Sequence, residues 1–243
     1  MVVVALAACG DGATPTPTPQ INQVSFNAFD YGYGRPSSIP AGMTTISMVN
    51  EGVELHHQQL IKLPEGMAGE DLLAALAQGP AAGPPPPGLK SAGGVSVLAP
   101  GGKGTVTVNL EQGNYLMICF IPDSEGVPHF ARGMAMSLTV TEAAGHLAAE
   151  PDSDMTIDMF DFGYTLSAPI STDTKSIRVT NGGPQDHETW CSWRPALPRR
   201  TSWPPSRPAR KAPRRACHLA AFNLFPTAAP AFSPSTLPRG ATR

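Results

Sequence analysis

No apolar run in this 243-residue chain reaches the roughly 18–20 residues that a membrane-spanning helix needs, which excludes a polytopic membrane protein. Charge is also scarce. Asp, Glu, Lys and Arg together make up 15% of the residues, too few for a coiled coil or a helical bundle. Abundant instead are 27 prolines and 24 glycines, which suit short strands joined by turns, or partly unstructured chain.

Acidic residues vanish altogether past Glu188. Up to that point the chain carries seven basic and all 19 acidic side chains; beyond it come ten basic residues and no Asp or Glu. The formal net charge of −2 therefore hides a strongly acidic portion followed by a strongly basic one. All three tryptophans, Trp190, Trp193 and Trp203, fall just past the same line.

The first residues lack a basic stretch ahead of a short apolar segment ending Leu6-Ala7-Ala8-Cys9. That ending resembles the lipobox of bacterial lipoproteins, where small residues fit a peptidase groove and the cysteine thiol accepts lipid. The expectation is a start codon further upstream, a lipid anchor on Cys9 and a protein tethered outside the cytoplasm, periplasmic or on the outer surface. The alternation Thr14-Pro15-Thr16-Pro17-Thr18-Pro19 then favours an extended, solvated spacer.

Residues 20–142 read as an all-β unit. Segments 24–29, 44–49, 58–62, 104–110, 115–120 and 134–141 are β-branched or apolar, alternate in places and are punctuated by Gly, Pro and Asn. The stretch 115–119 is apolar at every position, as in a strand covered on both faces. One helix is expected over 69–78, where Leu72, Leu73 and Leu76 recur at helical spacing behind Glu70 and Asp71. The expected fold is an antiparallel two-sheet β-sandwich with one short helical insertion.

A shift of 131 residues lays part of the chain over itself without a gap. Phe29-Asp30-Tyr31-Gly32-Tyr33 falls on Phe160-Asp161-Phe162-Gly163-Tyr164, and Ile39, Ile46, Asn50, Gly52 and His56 fall on Ile170, Ile177, Asn181, Gly183 and His187. An offset held this long reads as a duplicated unit. The resulting layout is a signal remnant and linker over 1–19, a first domain over 20–142, a linker over 143–153, a partial second copy over 154–188, and a tail over 189–243. The Phe-Asp-Tyr-Gly-Tyr motif reads as strand and turn.

The repeat breaks in mid-motif at the charge boundary. A basic Arg/Pro arm contacting phosphates is one reading of the tail. Out-of-frame translation of a former second domain is the other. It explains the simultaneous loss of acidic residues, the burst of Trp, Arg and Pro, and the missing counterpart of Gly113-x-Tyr115-x-x-x-Cys119. On that reading the tail is disordered, binds no nucleic acid, and Cys191 and Cys217 have no function.

Within the first domain, Asn50-Glu-Gly-Val-Glu-Leu-His56-His57 ends one strand. Much later comes Cys119-Phe-Ile-Pro-Asp-Ser-Glu-Gly-Val-Pro-His129-Phe-Ala-Arg-Gly-Met134. In order and residue types this resembles the cupredoxin family, whose Greek-key sandwiches hold one type 1 copper. The resemblance covers roughly residues 20–142 and implies Cys119 as thiolate ligand, His56 and His129 as imidazole ligands and Met134 as the axial thioether. A soft thiolate, two imidazoles and a weak axial sulfur suit both oxidation states of copper. The Asn50 spacing and the repeat partner His187 both select His56 over His57. His57 and Asn50 are then expected behind the ligands, with His57 steadying the cysteine loop.

Nine residues separate Cys119 from His129, more than in plastocyanin-like or azurin-like members. The long loop, with Val-Pro before its histidine and Gly-Met at its close, resembles the type 1 loop of copper nitrite reductases. Those enzymes place a histidine ahead of the cysteine to reach a second, catalytic copper. Here that position is Ile118, and His146 and His218 lie elsewhere, so this chain offers no catalytic copper site and no enzyme is expected. The resemblance implies a membrane-anchored carrier of single electrons between redox partner proteins. The alternative is a non-redox module of the same shape, holding copper or serving as an interaction surface.

Overall fold

The computed structural model describes residues 19–189 apart from residues 35, 80–83, 162, 185, 186 and 188. The expectations for Cys9, most of the Thr/Pro spacer and nearly all of the basic tail lie outside the described residues.

Two sheets face each other across residues 22–141. One has the order β2-β1-β4-β7, from β1 (Asn22–Phe29), β2 (Gly32–Tyr33), β4 (Gly42–Asn50) and β7 (Lys103–Leu110). The other has the order β3-β9-β8-β5-β6, from β3 (Ser38–Pro40), β5 (Gln59–Lys62), β6 (Lys90–Ser91), β8 (Gly113–Ile118) and β9 (Ala135–Thr141). The expected all-β sandwich with one short helix is the fold. Its strands are mixed, however, rather than purely antiparallel: β1 runs parallel to β4, and β3 parallel to β9. The cause is the excursion of β3 into the opposite sheet, after which the chain re-enters beside β1 heading the same way. Strands β2, β3 and β6 span two or three residues, too short to carry a periodic signal.

Alternation along each strand decides what the core receives. Phe26, Ala28, Ile46 and Met48 from one sheet meet Leu60, Tyr115, Met117, Leu138 and Val140 from the other. Continuing β8 inward by the same period brings Cys119 into this cluster, and Met134, just ahead of β9, joins it. Strand β8 is apolar on its outer side because that side is covered too. Leu116 and Ile118 pack in a second cluster with Leu72 of helix α1 (Gly69–Ala77), flanked by Leu73 and Leu76. Asp71 accepts the Ala68 amide at 2.9 Å to start the helix. At Gly69 the helix approaches so closely that a β-carbon would lie 2.7 Å from Ser137 Oγ and 3.1 Å from Leu116 Cδ1.

Residues 155–181 form a further three-stranded sheet, β11-β10-β12, from β10 (Met155–Phe160), β11 (Gly163–Leu166) and β12 (Ile177–Asn181). Its register is that of β1, β2 and β4 advanced by 131 residues. Phe160 pairs with Gly163 as Phe29 pairs with Gly32, and Met155 pairs with Ile177 as Val24 pairs with Ile46. Met155, Ile157 and Met159 are buried against Ile170 and Ile177, while Phe160, Tyr164, Leu166 and Val179 remain substantially exposed. Among the described residues no helix is long and apolar enough to cross a membrane.

Leu60 lies at 0% exposure where the two sheets meet. Leu60→Ala should lower unfolding stability by about 2–5 kcal/mol, because the surrounding strands cannot close the cavity. Urea denaturation of the two proteins measures it.

Candidate metal centre

Three donor-bearing side chains from distant parts of the chain meet at one end of the sandwich. His56, Cys119 and His129 are each fully buried, and their ligand atoms lie within 4.8 Å of one another. Among the described residues this is the one such group of His, Cys, Asp or Glu found. Nδ1 of His56 is 3.1 Å from Nδ1 of His129, which is in turn 3.6 Å from Cys119 Sγ. All three donors thus point at one small volume.

His56 is delivered by the turn that ends β4. Asn50 organises this turn: its Oδ1 accepts the Gly52 amide at 2.9 Å, and its Nδ2 donates to the carbonyls of Glu54 and Leu98 at 2.7 and 2.9 Å. The His56 backbone then exchanges two hydrogen bonds with Leu98. Next in sequence, His57 does something different. Its Nε2 accepts the Phe120 amide at 2.8 Å, and Tyr33 Oη donates to its carbonyl at 2.5 Å. An imidazole nitrogen that accepts an N–H carries no hydrogen itself, so Nε2 of His57 is committed to the chain just past Cys119.

Cys119 and His129 sit at the two ends of a loop that is closed on itself. The Cys119 amide donates to Met134 O at 3.2 Å, Phe130 N to Cys119 O at 2.9 Å, His129 N to Ile121 O at 2.8 Å and Met134 N to His129 O at 2.9 Å. The nine intervening residues fold as a small hairpin, pinned by the carboxylate of Asp123. This accepts the Glu125 and Val127 amides and is held by Arg132 at 2.8 Å, while Arg132 also pairs with Glu125. A 3-10 turn, His129–Arg132, ends at Gly133, whose φ of 109° lets the chain double back into Met134. Met134 is fully buried, in the same cluster as Cys119, and its backbone is bonded to those of Cys119 and His129.

The outward nitrogens of both imidazoles lie against acid. Nε2 of His56 is 2.9 Å from Asp30 Oδ1, and Nε2 of His129 is 2.8 Å from Glu54 Oε2, close in distance although not aligned as a hydrogen bond. Asp30 is fixed by the amides of Val53 and Glu54. Burial opposes its ionisation, but those amides and His56 outweigh burial and hold the carboxyl below its ordinary value. The His129 imidazole is shifted the other way from a salt-bridged histidine. Burial, then repulsion from His56, lower its pKa despite the opposing pull of Glu54. Burial, reinforced by Cys119, pushes the Tyr33 phenol well up. Tyr31, with the unusual φ of 64°, lays its ring against His129 with centroids 5.2 Å apart.

Asp30, Tyr31 and Glu54 are thus site residues that a strand-and-turn reading of the Phe-Asp-Tyr-Gly-Tyr motif passes over. A signal was present in the repeat, where an Asp is kept together with a His. The structure pairs them again: Asp161 Oδ1 is 2.9 Å from His187 Nε2, and Gly183 N again bonds to Asn181 Oδ1.

Two measurements test this geometry. A β-carbon on Gly52 would overlap Asp30 Oδ1 and come within 2.6 Å of His56 Nε2. Gly52→Ala should therefore break the Asp30–His56 contact and displace the imidazole, visible as chemical-shift changes confined to these residues while the sandwich stays folded. Secondly, the amides of Val127 and Glu125 and the Arg132 guanidinium overcome burial to hold Asp123 below the ordinary 3.8. The stabilisation this gives the loop is fully present above that ordinary value and lost as pH falls through the lower folded value. The protection of the Glu125 and Val127 amides relative to their intrinsic exchange should hold at pH 5 and fall only below about pH 4; protection lost already between pH 6 and 5 contradicts the clamp.

No protein-family model matches the sequence, and no curated protein matches it. Solved structures do. Dithionite-reduced auracyanin from Roseiflexus castenholzii is 23% identical, with a TM-score of 0.37 over 49% of this chain and 97% of its own. Auracyanin B is 23% identical, with a TM-score of 0.35 over 52% and 94%. Auracyanin A from Chloroflexus aurantiacus, described as a "blue" copper protein, is 23% identical, with a TM-score of 0.33 over 49% of this chain and the whole of its own.

Proposed function

We propose that the first domain is a copper-binding electron carrier, with Cys119, His56 and His129 as principal ligands and Met134 as the axial one. The observation that carries this reading is the convergence of two Nδ1 atoms and one thiol sulfur from three fully buried residues. Two Nδ1 atoms 3.1 Å apart either share one hydrogen or both turn their lone pairs towards a single ion. The donor set narrows the choice of cation: one soft sulfur and two imidazoles suit copper in both oxidation states, with zinc the principal competitor. Bound copper would supply a one-electron couple.

The chain's own contribution is to keep the donors in place. Cys119 and Met134 are locked by the 3.2 Å backbone bond between them, and His57 tethers Phe120. Little reorganisation is then needed when the charge of the centre changes. Exposed Val53, Leu55 and Phe29 flank the same pole and offer a partner protein an apolar approach to the buried ligands. The proposal extends to the cell: Cys9 as a lipid anchor and the Thr/Pro segment as a spacer would hold the carrier extracytoplasmically, beside its redox partners. Support for that part comes from the sequence alone, as it does for reading residues 154–188 as a second copy cut short by a frameshift.

Adding Cu(II) to the purified full-length, reduced protein should give one copper per chain, strong visible thiolate-to-copper absorption and a reversible couple in voltammetry. Cys119→Ser should abolish the absorption and leave the far-ultraviolet circular dichroism of the sandwich intact. Folded wild-type protein that stays colourless sinks the electron-carrier reading. Tight Cu(I) binding without a reversible couple would select the copper-holding module instead.

A further inference from the structure

Both ligand imidazoles have their outer nitrogen against a carboxylate. Asp30 is 2.9 Å from Nε2 of His56, and Glu54 is 2.8 Å from Nε2 of His129. An ionised carboxylate only accepts, so the hydrogen bond to Asp30 requires Nε2 of His56 to bring the hydrogen. Glu54 lies against Nε2 of His129 without the alignment of a hydrogen bond, and its charge favours a hydrogen over a lone pair there. A neutral imidazole has one hydrogen, and spending it at Nε2 leaves Nδ1 bare. The opposite tautomer would set a lone pair against a carboxylate at both positions.

The acids are themselves held. Asp30 accepts the amides of Val53 and Glu54 at 3.1 and 3.3 Å. Glu54 has its backbone carbonyl tied to Asn50, and its carboxylate accepts Tyr31 Oη at 3.5 Å. Asp161 and His187 reproduce the first pair at 2.9 Å, so β-strand and turn alone build it. At the position matching Glu54 the repeat has Gln185.

We propose that Asp30 and Glu54 are positioning residues that hold His56 and His129 as Nε2–H tautomers, committing both Nδ1 atoms to the ion, and that their charge favours its divalent state. The second half of this rests on the copper reading above. With a thiolate and two carboxylates around it, a divalent ion leaves a net charge of −1 and a monovalent ion −2. The acid side chains are 31% and 30% exposed, so solvent softens this preference without reversing its sign.

The test uses the full-length chain with ¹⁵N-labelled histidine, alongside Asp30→Asn and Glu54→Gln. In the metal-free wild type, long-range ¹H–¹⁵N spectra should show a hydrogen on Nε2 of both His56 and His129, and each variant should show mixed tautomers at its own histidine. A bare Nε2 at either ligand in the wild type overturns the positioning role, as do variants with unchanged tautomers. Competition titrations should show each variant losing 10–100-fold in Cu(II) affinity and less in Cu(I) affinity, so that the reduction potential rises. Equal losses for the two ions, or none, overturn the charge preference. A wild type that binds no copper removes the copper reading and the charge preference with it, while the Nε2 readout still decides the positioning claim.

Discussion

Two imidazole nitrogens face one another at 3.1 Å inside a protein, beyond the reach of water, and the rest of this structure is arranged around that confrontation. The rings are not free to turn apart: Asp30 holds His56 from behind, Glu54 lies against His129, and Tyr31 packs on the His129 ring. Their orientation is set by elements that never touch the donors directly: Asn50 shaping one turn, Asp123 and Arg132 closing the other, and Gly52 leaving room for the Asp30 carboxylate. The sulfur of Cys119 arrives by strand alternation alone, two residues beyond Met117 on the same face.

Much of this was legible from sequence because the relevant signals are local. Apolar alternation marked the long strands, and an unbroken apolar run marked β8, whose outer side the helix covers through Leu72. Order and residue type singled out His56, Cys119 and His129, which the fold does bring together. What stayed hidden depends on pairing across the chain. Whether β1 and β4 run parallel is decided by where β3 goes, and β3 is three residues long. Asp30 and Glu54 look like ordinary turn acids until the turn after β4 is folded against the end of β1. The Asp30–His56 contact could be approached through the repeat, where Asp161 accompanies His187, whereas Glu54, matched there by Gln185, left no such trace.

The second sheet separates architecture from chemistry. It keeps the register, the Asn–Gly turn and the acid–imidazole contact of the first, without a thiol among its described residues. Half of the ligand framework is therefore a property of three strands and a turn. The other half belongs to the closed loop between β8 and β9, and only where both halves are present do three donors converge.

Enclosure also bears on time. With His56, Cys119 and His129 all at 0% exposure, an ion held as proposed would be enclosed by the folded loop. Its lifetime would then be governed by how often the Asp123–Arg132 latch and the backbone bonds behind it give way together, a rate of local opening rather than a strength of attraction. Loading and loss would be slow for the same reason, and a history of exposure to metal would matter as much as a preference among metals.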